Sequence, residues 1–171
     1  MKQSRFLLLA IFLIMITACG MPKRETINPL PFIESEYNAL PKSGTGIIKG
    51  QVFAKTVGGD VKKGAGNSVI LFPATTFGTQ RYKEQVIGGK LFSIAPDPRH
   101  SEYILEQTTD GDGRFVFRNV PPGKYYALSD VIWKIPYISS YGYTTWVTQG
   151  GEVHKEVEIQ NDQTQEIVLT R

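Results

Sequence analysis

The chain has 171 residues, of which 41% are hydrophobic and 20% charged, a net charge of +3 and a single cysteine. One cysteine excludes an intrachain disulfide. Two of the cations, Lys2 and Arg5, lie in a removable leader, so the working protein is near +1, too little to drive binding to nucleic acid.

Lys2 and Arg5 precede an uncharged apolar run from Phe6 to Ile16, the layout of a secretory signal peptide. A membrane span needs roughly 20 apolar residues, and this run is about half that. Ile16-Thr17-Ala18-Cys19 resembles the lipobox of bacterial lipoproteins. The resemblance implies cleavage after Ala18, a diacylglycerol on the Cys19 thiol and acylation of the new amino terminus. Residues 1–18 are then the signal, and the lone thiol is consumed. One acyl chain binds a membrane only marginally, whereas three would anchor the chain stably. In such lipoproteins an aspartate after the cysteine often retains the protein at the inner membrane. Gly20 stands there instead, so the expected location is the outer membrane, facing the periplasm of a Gram-negative cell. A cell with one membrane would carry the domain on its outer surface.

Residues 19–43 hold Pro22, Pro29, Pro31 and Pro41 without a helical stripe and read as a flexible tether with a reach of ~80 Å when extended. Leu30, Phe32 and Ile33 within it could dock on the domain or on a partner. Residues 44–171 suffice for one core and are read as a single domain.

That domain is expected to be all-β. Ile47 to Phe53, Ser68 to Phe72, Arg114 to Phe117, Tyr125 to Leu128, Val153 to Ile159 and Gln165 to Leu169 are β-branched or aromatic runs separated by turn residues. Val153, Val157 and Ile159 share one face with Lys155, while His154, Glu156 and Glu158 occupy the other. Ile167 and Leu169 share a face in the last run. Asn161-Asp162-Gln163 between these two runs predicts a C-terminal hairpin, and two facing sheets would bury the stripes.

Thr109 to Tyr125 is the most informative stretch of the domain. Asp110 can accept backbone hydrogen bonds in a turn, and Gly111 and Gly113 tolerate positive φ around Asp112. The strand that follows places Phe115 and Phe117 on one face. Pro121-Pro122-Gly123 ends it and lets the chain turn towards Tyr125 and Ala127. Together with Gly50-Gln51-Val52, these residues resemble the carboxypeptidase regulatory-like domain, a non-catalytic, transthyretin-like module. The resemblance implies a β-sandwich of about seven or eight strands, with an insert near 73–101. The insert contains strand-breaking Gly88-Gly89 and Pro96-Asp97-Pro98, and an extra hairpin is expected around Leu91 to Ala95.

Candidate chemistry is sparse. Asp110 and Asp112 lack the remaining pattern of a calcium loop and are read as turn residues, with weak calcium binding left open. His100 and His154 are far apart, form no metal-ligand cluster and are expected to face solvent, so no metal or other cofactor is assigned. No serine sits in a nucleophile elbow, and an enzyme is not expected. Gly58 to Gly66 lacks the ending of a phosphate loop and reads as an exposed loop.

Both tryptophans lie between Trp133 and Trp146, among Tyr137, Tyr141 and Tyr143. Aromatics of this kind recur in protein hot spots, stack on sugars and rest near lipid headgroups. Trp133 could instead complete the core, and Trp146 could pack inward on a strand from Thr144 to Thr148. Pro136, Ser139-Ser140 and Gly142 suggest that Tyr137 to Tyr143 form a loop. Trp133, Tyr137, Tyr141 and Tyr143 are the candidate binding residues. The expected function is a non-catalytic, lipid-anchored module that contacts another envelope protein, with cell-wall or surface glycan as the alternative ligand and a small apolar cargo as a weaker third.

Overall fold

The computed structural model describes residues 23–171; the expected signal peptide and Cys19 lie outside the described residues. In chain order the elements are β1 (Thr26–Ile27), α1 (Glu34–Asn38), β2 (Gly46–Lys55), β3 (Val61–Lys63), β4 (Ser68–Pro73), α2 (Thr76–Gln80) continued by a π-helical segment (Arg81–Ile87), β5 (Leu91–Phe92), a 3-10 segment (Pro98–Tyr103), β6 (Leu105–Thr108), β7 (Arg114–Val120), β8 (Gly123–Ile138), β9 (Thr144–Ile159) and β10 (Thr164–Leu169).

The architecture is an all-β sandwich. In one sheet β2 is central, paired in parallel with β10 and antiparallel with β7 along Gly46–Gln51 and with β3 along Phe53–Lys55. The facing sheet has the order β6-β4-β8-β9. Alternation explains the core between them. Ile48, Val52 and Ala54 of β2, Phe115 and Phe117 of β7, and Ile167 and Leu169 of β10 meet Val69, Leu71, Tyr125, Ala127, Val153, Val157 and Ile159 of the other sheet. Each Phe contributes roughly 1.5–3 kcal/mol by leaving water.

Ten strands occur among the described residues, more than the seven or eight expected. The surplus is short: β1 and β5 form a two-residue parallel pair, and β3 occupies part of the segment read as an exposed loop. The predicted C-terminal hairpin does not form. β9 and β10 belong to opposite sheets, joined through a turn in which Asp162 has φ 60°. Alternation reveals which face a strand buries, not which neighbour takes its hydrogen bonds.

The insert also differs from expectation. Leu91–Phe92 pairs with β1 instead of closing a hairpin on residues up to Ala95, and the rest is largely helical. Helical segments this short cannot reveal a period in sequence. The insert covers the outer face of the second sheet, where Tyr82 stacks on Tyr126 with centroids 4.1 Å apart beside Phe72 and Leu128. This explains why Tyr125-Tyr126-Ala127-Leu128 does not alternate: β8 is buried on both sides there.

The flexible-tether expectation fails for residues 26–42. Gln80 accepts from the Leu30 amide at 2.8 Å and donates to the Asn28 carbonyl at 2.9 Å. Glu36 accepts from the Thr76 amide at 2.8 Å. Phe32 stacks on Tyr37 at 4.2 Å, and Tyr37 is buried, its hydroxyl bonding Thr75 Oγ1 at 2.9 Å and His100 Nδ1 at 2.8 Å. The prolines shape a docked strap, and Phe32, whose destination was open, packs on the domain.

Both histidines are corrected. His100 is buried against Phe77, their rings 3.7 Å apart, and burial holds its imidazole pKa below the ordinary value. His154 is half-buried and bonds the Tyr82 hydroxyl at 2.9 Å, because the insert covers the strand face that charge alternation assigned to water.

Candidate functional site: an aromatic ribbon and the cleft at its base

β8 and β9 outrun the sandwich. They pair from Gly123↔Ile159 to Ile138↔Thr144, but β4 accompanies β8 only along Tyr125–Ser129. Beyond Val131 the two strands continue as a free ribbon of about 20 Å at ~3.3 Å per residue. The segment expected as a loop is therefore strand up to a tight turn. In that turn the Gly142 amide donates to the Ser139 carbonyl and the Ser139 amide to the Tyr143 carbonyl, both at 2.9 Å.

Gly150 marks where the ribbon leaves the body. It has φ 97°, and a Cβ there would collide with the Val131 carbonyl, so neither its conformation nor its space admits a side chain. Arg171 fastens the same point by donating to the Gly150 carbonyl at 2.9 Å.

The structure separates the four candidate aromatics. Tyr137, Tyr141 and Tyr143 are exposed on the ribbon, Tyr141 at 88%. Trp146 is also exposed rather than packed inward, because Gly150 and the register carry its face past the last core residue. Trp133 lies apart from them. It shares a face with Val131, packs one side on the core and leaves the other open to a cleft.

That cleft, of about 480 Å³, lies between the ribbon base and the turn following β2. Trp133 and Ile135 form its apolar wall, with Gln149 and Gly150 from β9 beside them. Lys55, Thr56, Asp60, Lys62 and the C-terminal Arg171 supply polar groups. The turn is held in place: the Thr56 amide donates to the Asp60 carbonyl at 2.9 Å, and Thr56 Oγ1 accepts from the Asp60 amide at 3.0 Å. Sequence reading missed these polar residues because Asp60 and Lys62 come from a segment read as an exposed loop, while Lys55, Thr56 and Arg171 lie just outside the runs read as strands. Only their topological meeting with Trp133 makes a site.

The side chains lining the cleft include the cations of Lys55, Lys62 and Arg171 and the carboxylate of Asp60. Hydrolysis of a glycosidic bond ordinarily needs two carboxylates, and Asp60 is the one in the lining. The arrangement suits binding: an aromatic platform with donors and an acceptor around it.

The Asp110 region is a separate, structural feature. Asp110 Oδ1 accepts from the amides of Asp112 and Arg114, both at 2.8 Å, and Gly113 adopts φ 75°. Of the two glycines able to take positive φ, Gly113 does so and Gly111 does not. Asp112 pairs with Lys63 at 2.6 Å and Arg114 at 3.0 Å, and Lys63 first of all pulls its carboxyl pKa down. Among the described residues no group of three or more His, Cys, Asp or Glu side chains could hold a metal. At the other turn, Pro121 and Pro122 lead into Gly123, where the chain passes between sheets rather than reversing within one, and the Tyr125 hydroxyl donates to the Pro121 carbonyl at 3.0 Å.

Fold and site define a β-sandwich with an aromatic-walled cleft and a protruding ribbon. A crystal structure from Pseudomonas aeruginosa of the protein PA1324, called a "putative carbohydrate binding protein", is similar at 34% identity and TM-score 0.69, over 84% of this chain and 100% of that one. The chain belongs to the family of that protein. Weaker similarity extends to the major pilin subunit BcpA of Bacillus cereus, at 18% identity and TM-score 0.35 over 74% of this chain and 29% of that one. It also extends to catechol 1,2-dioxygenase from Pseudomonas arvilla C-1, at 14% identity and TM-score 0.30 over 89% and 59%. Neither likeness is close enough to bear on function. No family model matches the chain, and no curated protein matches it.

Proposed function

We propose that the protein is a non-catalytic carbohydrate-binding module of the cell envelope, and that the cleft at the ribbon base receives the sugar. The observation that carries this reading is the Trp133 face opening onto a cleft ringed by Lys55, Asp60, Lys62, Gln149 and Arg171. Sugars present an apolar ring face and a rim of hydroxyls, which such an aromatic wall and polar ring complement. The carbohydrate binding attributed to the Pseudomonas aeruginosa relative supports the same reading. So does the resemblance to the carboxypeptidase regulatory-like module, which is non-catalytic. The excess of cations favours acidic sugars over neutral ones. Lipid attachment at Cys19 would hold the module at the outer membrane, facing the periplasm in a Gram-negative cell.

Binding of polygalacturonate and dextran by affinity electrophoresis tests the reading. Polygalacturonate is expected to retard the protein more strongly than dextran does, and more weakly as salt rises. Trp133→Ala should weaken retardation about tenfold, the equivalent of about 1.4 kcal/mol, while Tyr141→Ala, outside the cleft, leaves it unchanged. Equal retardation of the Trp133→Ala and unaltered proteins would remove the cleft from consideration.

The second reading, docking of an envelope protein, rests on the exposed tyrosines of the ribbon. Photoreactive residues at Tyr137 and Tyr141 would then give discrete protein adducts in intact cells, and one at Glu158 would give none.

A further inference from the structure

The ribbon tip has a property that the sugar cleft does not use. From Pro136 to Thr148, beyond the cleft lining, the chain carries no charged side chain, although the strands on either side are charged. The pairing register places Tyr137 and Val147 on one face and Pro136, Ile138 and Trp146 on the other, and all five are exposed. A protein docking on one face would leave the other wet. A two-stranded ribbon is only marginally stable alone in water, so apolar residues on both faces call for an environment that surrounds it.

We infer that the ribbon tip beds into the headgroup layer of a lipid bilayer. Tyrosine and tryptophan favour that layer because each joins an apolar body to a polar tip. Depth is limited by the backbone: beyond Trp133 and Gln149 each ribbon strand pairs only with the other, and the peptide groups of the outer edges would not be tolerated by the hydrocarbon interior but are by hydrated headgroups. Lys134 and Glu152 at the base mark where charge resumes.

The start of the described chain points the same way. Arg24 shares a depression with Asp130, Gly151 and Glu152 at the ribbon base. Since the strap is docked from Thr26 onward, only the residues from Cys19 to Arg24 separate the expected lipid from this point, a reach of ~17 Å at ~3.3 Å per residue. Anchor and ribbon tip can therefore enter one membrane surface together. The inference does not depend on the sugar cleft, whose Trp133 remains on the body.

The test uses the full chain reconstituted in phosphatidylcholine vesicles carrying bromine at the 6,7 positions of one acyl chain. The protein has two tryptophans, so Trp133→Phe leaves Trp146 as the sole reporter and Trp146→Phe leaves Trp133. Trp146 emission is expected to fall at least twofold relative to unbrominated vesicles, with Trp133 emission unchanged. Ile138→Asp combined with Tyr141→Asp should abolish the Trp146 quenching while the β circular dichroism spectrum is retained. Unquenched Trp146 in vesicle-bound protein would overturn the inference. So would discrete protein adducts, without lipid adducts, from a photoreactive residue at Tyr141 in cells, since they would assign the ribbon to a protein partner.

Discussion

Asp110 holds its turn through one carboxylate oxygen, which accepts from two amides. Asp110→Ala leaves both to water and should cost about 1–3 kcal/mol in urea unfolding. An unchanged midpoint would show that the glycines alone form the turn. His100 makes stability depend on pH with a definite sign. Burial holds its folded pKa below the ordinary value of 6.5, so as pH falls past about 6.5 the unfolded chain binds a proton before the folded one. Its stabilising contribution is therefore full above that pH and is lost as pH drops towards the lowered folded value. Glu152 acts oppositely, since burial first and Asp130 second raise its carboxyl pKa. Melting temperature should fall from pH 7.5 to 5.5, and His100→Gln should narrow that fall; an identical fall in both proteins would contradict the assignment. The Asp110 turn was legible in sequence because its partners lie within four residues. The environment of His100 was not, because Tyr37 lies 63 residues away.

At the scale of elements, the strap over the insert is the least expected feature. Its proline-rich sequence lacks periodicity, and its order comes from contacts with α2, β5 and the 3-10 segment rather than from local propensity. Removing Tyr37 should free it. In Tyr37→Ala the Leu91 and Ser93 amides, which donate to the Glu25 and Ile27 carbonyls at 3.0 and 2.8 Å, are expected to exchange hydrogen faster, while the Ile48 and Val52 amides of β2 stay protected. Equal loss of protection in β2 would show that strap and sandwich unfold as one unit. Strand identities and the faces of Phe115, Phe117, Val153, Val157, Ile159, Ile167 and Leu169 were readable because alternation against a core is a local pattern. Sheet membership of β9 and β10 was not, since the same stripes fit either a hairpin or a crossover.

For the whole molecule, the sandwich is a two-sheet body from which one pair of strands continues, and the two uses proposed for that continuation differ in position. The base meets the turn after β2 and the chain end to make the cleft, whereas the uncharged tip extends beyond the core. Sequence separated a possible core role for Trp133 and Trp146 from an exposed Tyr137 to Tyr143, but misplaced Trp146, because the division depends on where the body ends. The most direct measurement of the central claim is an amide and indole chemical-shift map during titration with a galacturonate oligosaccharide. Carbohydrate binding in the cleft predicts shifts concentrated at Lys55 to Lys62, the Trp133 indole, Gln149, Gly150 and Arg171, with Tyr137 to Tyr143 undisturbed. Shifts confined to the ribbon tip or the insert, or none at saturating sugar, would contradict it.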